Sequence, residues 1–162
     1  MSPSTTAPTS RRPDALRSLS LAECRRWLQQ HHEGRLSYLS GRGPRSVVVS
    51  YAVAGDEVLV RVPDYNDIAQ YAPGAEVTLA VDGVVEPNPP SSPEIEEVSV
   101  TGIAAQADAA HRPPQVDTVR FDESWPTGVK TSVVSLPMTQ LTGVQRRAAL
   151  CPDSFDLEGE RP

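Results

Sequence analysis

Arg61 is the one basic side chain between residues 46 and 97, a stretch that also holds ten acidic ones. A guanidinium in such company has two uses. It can receive an anion through its planar fork of donors, or it can neutralise the carboxylates beside it. Ser50 and Tyr51 are adjacent on a predicted strand, so only one of them faces a given groove. They either meet a planar ring through hydroxyl and backbone groups or serve as ordinary strand residues, with Tyr51 half buried. Trp125 can stack on a bound ring or anchor an interface. Lys130 is the sole lysine; it can hold a phosphate or an acidic substrate, or simply stand in solvent. His31 and His32 are neighbours that face different ways, and His111 is distant, so no metal or haem site is expected. No Ser-His-Asp arrangement, nucleophile elbow or phosphate-cradling glycine loop is present. No residue is assigned a catalytic role.

These side chains need elements to position them. Residues 1–17 are rich in Ser, Thr and Pro and carry no periodicity, so they are expected to be loosely ordered. Ser20 opens a helix, with Glu23 three residues on completing a capping box. Leu21, Cys24 and Leu28 recur on one helical face beside Trp27. His31 and His32 fall in its last turn, and Gly34 is expected to stop it in a left-handed conformation. Six strands follow: 35–39, 45–53, 57–62, 76–84, 96–107 and 129–136. The turns Ser40–Gly43 and Ala54–Asp56 separate the first three. A short helix fits 65–72, with Ile68 and Tyr71 inward. Four prolines exclude residues 86–94 from a sheet. Leu141–Val144 can extend or follow the last strand. The domain then spans 18–148, with a tail over 149–162. Six antiparallel strands of this length close best as a barrel, so the fold class is a mainly β, six-stranded antiparallel split barrel with a leading helix.

Composition narrows the partners. The chain has 162 residues, a net charge of −6 and 38% hydrophobic residues. That length suits one domain, and the polar ends depress the apolar share below the usual value. Residues 1–45 carry eight basic and three acidic side chains. The acidic middle repels a phosphate backbone, which argues against sequence-independent nucleic-acid binding. Cys24 and Cys151 form no CxxC pair, so neither a metal site nor a disulfide framework is indicated. No apolar run approaches the ~20 residues of a membrane span. A cytoplasmic location is the expectation.

The stretch from Leu19 to Gln145 resembles the pyridoxamine 5′-phosphate oxidase-like family of flavin-binding split barrels, most of all its small actinobacterial branch. The resemblance rests on the order of several short motifs. They are Gly34-Arg35-Leu36 after the helix, Pro44 with Ser50-Tyr51, the hairpin into Val58–Val62, and Val81-Asp82. Val100–Ala104, Trp125-Pro126 with Gly128, and Thr142-Gly143 complete the series. The resemblance implies a homodimer with flavin mononucleotide (FMN) in each groove between the barrels, over the second strand and residues of the partner. It implies a phosphate held after the third strand, where the family has a Thr and then a Ser-Lys pair. This chain has Val62, Asn66 and Asp67 there. Asn66 can donate through its amide, but Asp64 and Asp67 bring negative charge. Two unit charges ~5 Å apart at an effective dielectric of ~20 repel by about 3 kcal/mol. Val144-Gln145 also separate Thr142-Gly143 from Arg146-Arg147, where the family has an arginine directly.

The resemblance thus implies a flavin-binding protein, an FMN-dependent oxidoreductase acting on a small molecule, with Ser50, Tyr51, Arg61, Asn66, Trp125 and Lys130 around the cofactor. A deazaflavin is the alternative cofactor. Two rival readings follow from the departures. In one the barrel has lost its flavin phosphate site and works as a cofactor-free small-molecule enzyme or binding protein. In the other it is a structural or regulatory dimer.

Overall fold

The computed structural model describes residues 16–85, 94–107 and 128–147. The expectations for residues 1–15, 86–93 and 149–162, His111, Trp125 and Cys151 lie outside the described residues, whereas Arg17, expected to be loosely ordered, and Glu94, expected outside the sheet, are strand residues. One helix comes first. Ser20 caps α1 (Leu21–Gln30): its hydroxyl accepts from the Glu23 amide, and the Glu23 carboxylate accepts from the Ser20 amide. That backbone bond, with Arg17 beside it, holds the Glu23 carboxyl down at about 2. Its folded value lies below the unfolded one, so its contribution is present above the ordinary carboxylate range and is lost as pH falls toward 2.

The described residues form nine strands, not the six the sequence predicts. They are β1 (Arg17–Ser18), β2 (Glu33–Ser40), β3 (Gly43–Ala54), β4 (Glu57–Pro63), β5 (Glu76–Val85), β6 (Glu94–Ile103), β7 (Ala105–Gln106), β8 (Thr131–Pro137) and β9 (Gln140–Arg147). A second helix, α2 (Asp67–Tyr71), sits between β4 and β5. The surplus has simple causes. The predicted fifth strand breaks at Ala104, whose amide turns to bond the Ala75 carbonyl, and its far end becomes β7 on β8. Met138 and Thr139 turn the chain, so Leu141–Val144 belong to a separate strand that pairs with β6. β1 adds two residues along the free side of β9.

The strands run β1-β9-β6-β5-β2-β3-β4-β8-β7, all neighbours antiparallel. β3 is the shared strand. Its first part, Gly43–Ser50, pairs with β2, and its last part, Tyr51–Ala54, pairs with β4. The sheet curls until β6 packs against β8, giving a half-barrel. Alternate residues point inward: Leu36 and Tyr38, Val49 and Tyr51, Val58, Val60 and Val62, Leu79 and Val81, Val98 and Val100, Val134 and Leu136. α1 contacts β9, β3 and β6, whereas α2 contacts β2, β4 and β8. Ile68 of α2 is buried as expected, and Tyr71 packs partly buried against the same core.

Glycine lets α1 approach the sheet backbone. A Cβ on Gly143 would lie 2.6 Å from Cys24 Sγ and 2.9 Å from Leu19 Cδ1, and one on Gly83 would lie 2.8 Å from the Trp27 ring. The Trp27 indole N–H donates to the Val81 carbonyl at 3.0 Å. The expected left-handed stop at Gly34 is not found. α1 ends at an extended His31, and Gly34 lies inside β2 with negative φ. Its glycine is needed for space, because a Cβ would stand 2.9 Å from Leu79 and Val81 side-chain carbons and 3.0 Å from the Ala80 carbonyl oxygen. His31 instead stacks on Trp27, with ring centroids 4.0 Å apart.

Two outcomes are expected from this packing. Gly143→Ala forces Cys24 and Leu19 aside and lowers stability by about 1–3 kcal/mol in equilibrium denaturation. Pairing it with Cys24→Ala restores part of the loss, a coupling that a double-mutant cycle reads directly. Glu96, on β6 beneath α1, has its carboxyl pushed up by burial, and the like charges of Glu23 and Glu94 add to this. Its folded value exceeds the unfolded one, so the ionised form weakens the fold once pH rises past it. Glu96→Gln therefore raises Tm at pH 7, and the gain shrinks as pH approaches 4.

Candidate functional site

The outer face of β3, β4 and β8 gathers the polar residues that the sequence singles out. Directly opposed residues of an antiparallel pair share a face. Arg61 opposes Val133, Leu59 opposes Ser135 and Pro63 opposes Thr131. Tyr51 opposes Val60 and Ala52 opposes Leu59. Ser50 opposes Glu33 of β2. Ser50 and Arg61 each adjoin an inward residue of the last β3–β4 pair, Tyr51–Val60, so both face outward. Ala54, Leu59 and Val133, with Ala107 against them, form a small second core on this side. The Arg61 guanidinium sits at its border, partly buried, with Nε donating to the Thr131 hydroxyl at 3.0 Å.

Tyr51 goes the other way. It is 2% exposed, inside the main core. Its hydroxyl donates to the Leu28 carbonyl of α1 at 2.8 Å. Burial pushes the phenol above its ordinary range, which keeps it protonated and a donor. The strand parity that puts Ser50 outside makes Tyr51 an anchor for the helix. Lys130 is exposed just before β8, and its carbonyl accepts from the Asp64 amide at 3.0 Å.

The segment after β4 is committed to local structure. Val62 points inward and is buried. Asn66 is the N-cap of α2, its side-chain oxygen accepting from the Ile68 amide at 2.9 Å. Asp67 occupies the first turn of that helix, where a carboxylate suits the backbone dipoles. Asp64 accepts from the Ser132 hydroxyl at 2.5 Å. Ser132 opposes Val62, so it belongs to the opposite face of the β4–β8 ladder from Arg61 and Thr131. Asp64 and Asp67 are therefore engaged by Ser132 and by the start of α2. The Ser50–Arg61–Thr131 face offers hydroxyls and a cation on an apolar border.

Sequence reasoning missed Val48 and Tyr65. Val48 lies on the outer face of β3, 65% exposed, and Tyr65 stands in the turn after β4, 82% exposed. Val48 follows the alternation of Ser46 and Ser50, which was a readable signal; an exposed aromatic in a turn leaves none. Two shallow grooves built from described residues lie elsewhere. One, of about 420 Å³, runs along the β2–β3 hairpin past Leu39 and Arg45; the other, of about 290 Å³, lies between Trp27 and Glu96. Among the described residues no group of three or more His, Cys, Asp or Glu is placed to hold a metal ion, and no helix is long and apolar enough to cross a membrane.

A curled antiparallel sheet with a leading helix and an outward cation-bearing face defines a split barrel. Residues 20–145 match the family described as pyridoxamine 5′-phosphate oxidase, and the chain belongs to that family. Several solved structures share the fold. The FAD binding protein from Mycobacterium smegmatis is 18% identical, covers 81% of this chain and 98% of its own, and superposes with a TM-score of 0.66. A FAD-binding protein from Mesorhizobium loti is 16% identical, with 84% of this chain and 100% of its own covered and a TM-score of 0.58. The FAD and haem binding protein from Mycobacterium smegmatis is 12% identical, with 86% of this chain and 77% of its own covered and a TM-score of 0.58. No curated protein matches the sequence.

The split roles of Ser50 and Tyr51 are separable. Tyr51→Phe leaves the Leu28 carbonyl without its donor and costs about 1–3 kcal/mol in denaturant unfolding. Ser50→Ala leaves stability within about 0.5 kcal/mol, as expected of a residue on the outer surface.

Proposed function

We propose that this protein is a flavin-binding split barrel, and that it acts as an oxidoreductase on a small molecule. The observation that carries the reading is the pairing of Arg61 with Thr131 on the same outer surface as Ser50. A flavin lying on this face would have Ser50 and Val48 beneath its ring and Arg61 facing its anionic or carbonyl-bearing part. Lys130 and the amide of Asn66 stand at the rim. A bound flavin supplies hydride acceptance; the protein supplies orientation and a positive field. Membership of the family and the flavin-binding proteins that share the fold support the reading. FMN is the proposed form, with a deazaflavin as the alternative.

The active unit is proposed to be a homodimer. Its support is the exposure of Leu39, Val48 and Ile103, three large apolar side chains on the outer side of the sheet. A cytoplasmic location is part of the same proposal.

One observation favours a second reading. Val62 lies in the core, Asn66 caps α2 and Asp67 stands in its first turn, which supports a barrel without the usual phosphate clamp. A barrel without that clamp can serve as a cofactor-free enzyme or binding protein. A visible spectrum separates the two. Purified protein mixed with FMN and desalted should stay yellow, with bands near ~370 and ~450 nm, and Arg61→Gln should release the colour. A protein that is colourless after desalting, with no flavin binding in titration, would support the cofactor-free barrel.

A further inference from the structure

We infer that Thr131 is a positioning residue of the ligand site: its hydroxyl sets the direction in which Arg61 presents its guanidinium to a flavin. The inference rests on the flavin reading above and adds to it a residue that the sequence reading did not single out.

A cation at the end of a long flexible stem is not aimed by its strand alone. Arg61 lies on the outer face of β4, directly opposite Val133 of β8. Val133 is buried, and its side chain has no polar atom. The next pair on the same face is Pro63 with Thr131. Thr131 is therefore the diagonal neighbour of Arg61, at a spacing that a long side chain can cross. The arginine does cross it. Its Nε donates to the Thr131 hydroxyl at 3.0 Å in partly buried surroundings. Nε joins the guanidinium plane to the stem, so a hydrogen bond there fixes the lean of the stem and the tilt of the plane together. A side chain held in this way before a ligand arrives does not have to be ordered on binding.

Thr131 is well placed to act as the fixed point. It closes the β4–β8 ladder opposite Pro63, and just before it the Lys130 carbonyl accepts from the Asp64 amide. Its branched Cβ restricts χ1. The next residue, Ser132, belongs to the other side of the ladder and gives its hydroxyl to the Asp64 carboxylate. Consecutive hydroxyls thus serve opposite charges. Thr131 takes the cation of β4, and Ser132 takes the anion that follows the strand.

Titration of the full chain with FMN tests the assignment. Thr131→Val keeps the branched shape, suits a strand and removes only the hydroxyl. It should weaken FMN by about five- to tenfold. Thr131→Ala lacks the same hydroxyl and should act alike, whereas Thr131→Ser should stay within about twofold of the unaltered chain. A second readout is exchange of the Arg61 Nε proton with water, followed by NMR. Exchange should be slow in the unaltered chain and in Thr131→Ser, and faster in Thr131→Val. Unchanged FMN affinity in both Thr131→Val and Thr131→Ala, an equal loss in Thr131→Ser, or a loss with Nε exchange unmoved overturns the inference and leaves the flavin reading standing. An unaltered chain that binds no FMN overturns both.

Discussion

The structure depends on one strand doing two jobs. β3 gives its first eight residues to β2 and its last four to β4. Strand alternation then fixes every side chain along it. Val49 and Tyr51 must enter the barrel, and Val48, Ser50 and Ala52 must leave it. A one-residue slip would exchange the two sets. The Tyr51 hydroxyl bound to the Leu28 carbonyl opposes such a slip, because no other β3 residue could reach the helix in this way. The outer surface is thus set by an interaction on the inner one.

The second helix acts in the same manner at the far end of β4. Asn66 and Asp67 serve the start of α2, and Ile68 plugs the core. A short helix of five residues gains little by itself, so its cap and its buried isoleucine matter. Asn66 and Asp67 are thus engaged by the fold.

Much of the fold was legible in the sequence where the signal is local. The Ser20–Glu23 capping box is a three-residue spacing, and the structure has both of its bonds. The strands at 45–53 and 57–62 followed from residues that favour a pleated surface and from the turns around them, and the antiparallel order followed from short turns. Non-local causes stayed hidden. Gly34 looked like a helix stop, but its reason is the approach of Leu79 and Val81 from a strand forty-odd residues away in sequence. The break at Ala104 depends on the Ala75 carbonyl. At the site, alternation told that Ser50 and Tyr51 face apart but not which one faces in, since that depends on where α1 docks. Tyr65 carried no periodic signal, and Asn66 could be read equally as a donor or a cap.

β1 is only two residues long, yet it has a protective consequence. The free side of β9 would otherwise show a row of unpaired backbone groups to other molecules. Arg17 and Ser18 pair with Gln145 and Val144, and the Leu19 amide bonds the Gly143 carbonyl. Arg17 is fastened in turn by its bonds to Gln145 and Glu23. An exposed strand edge invites sheet extension by a second chain. The short segment before α1 closes that edge with the molecule's own backbone, and the Arg17–Glu23 ion pair makes the closure responsive to ionic strength. Colloidal behaviour in salt is thereby tied to one arginine beside the barrel edge.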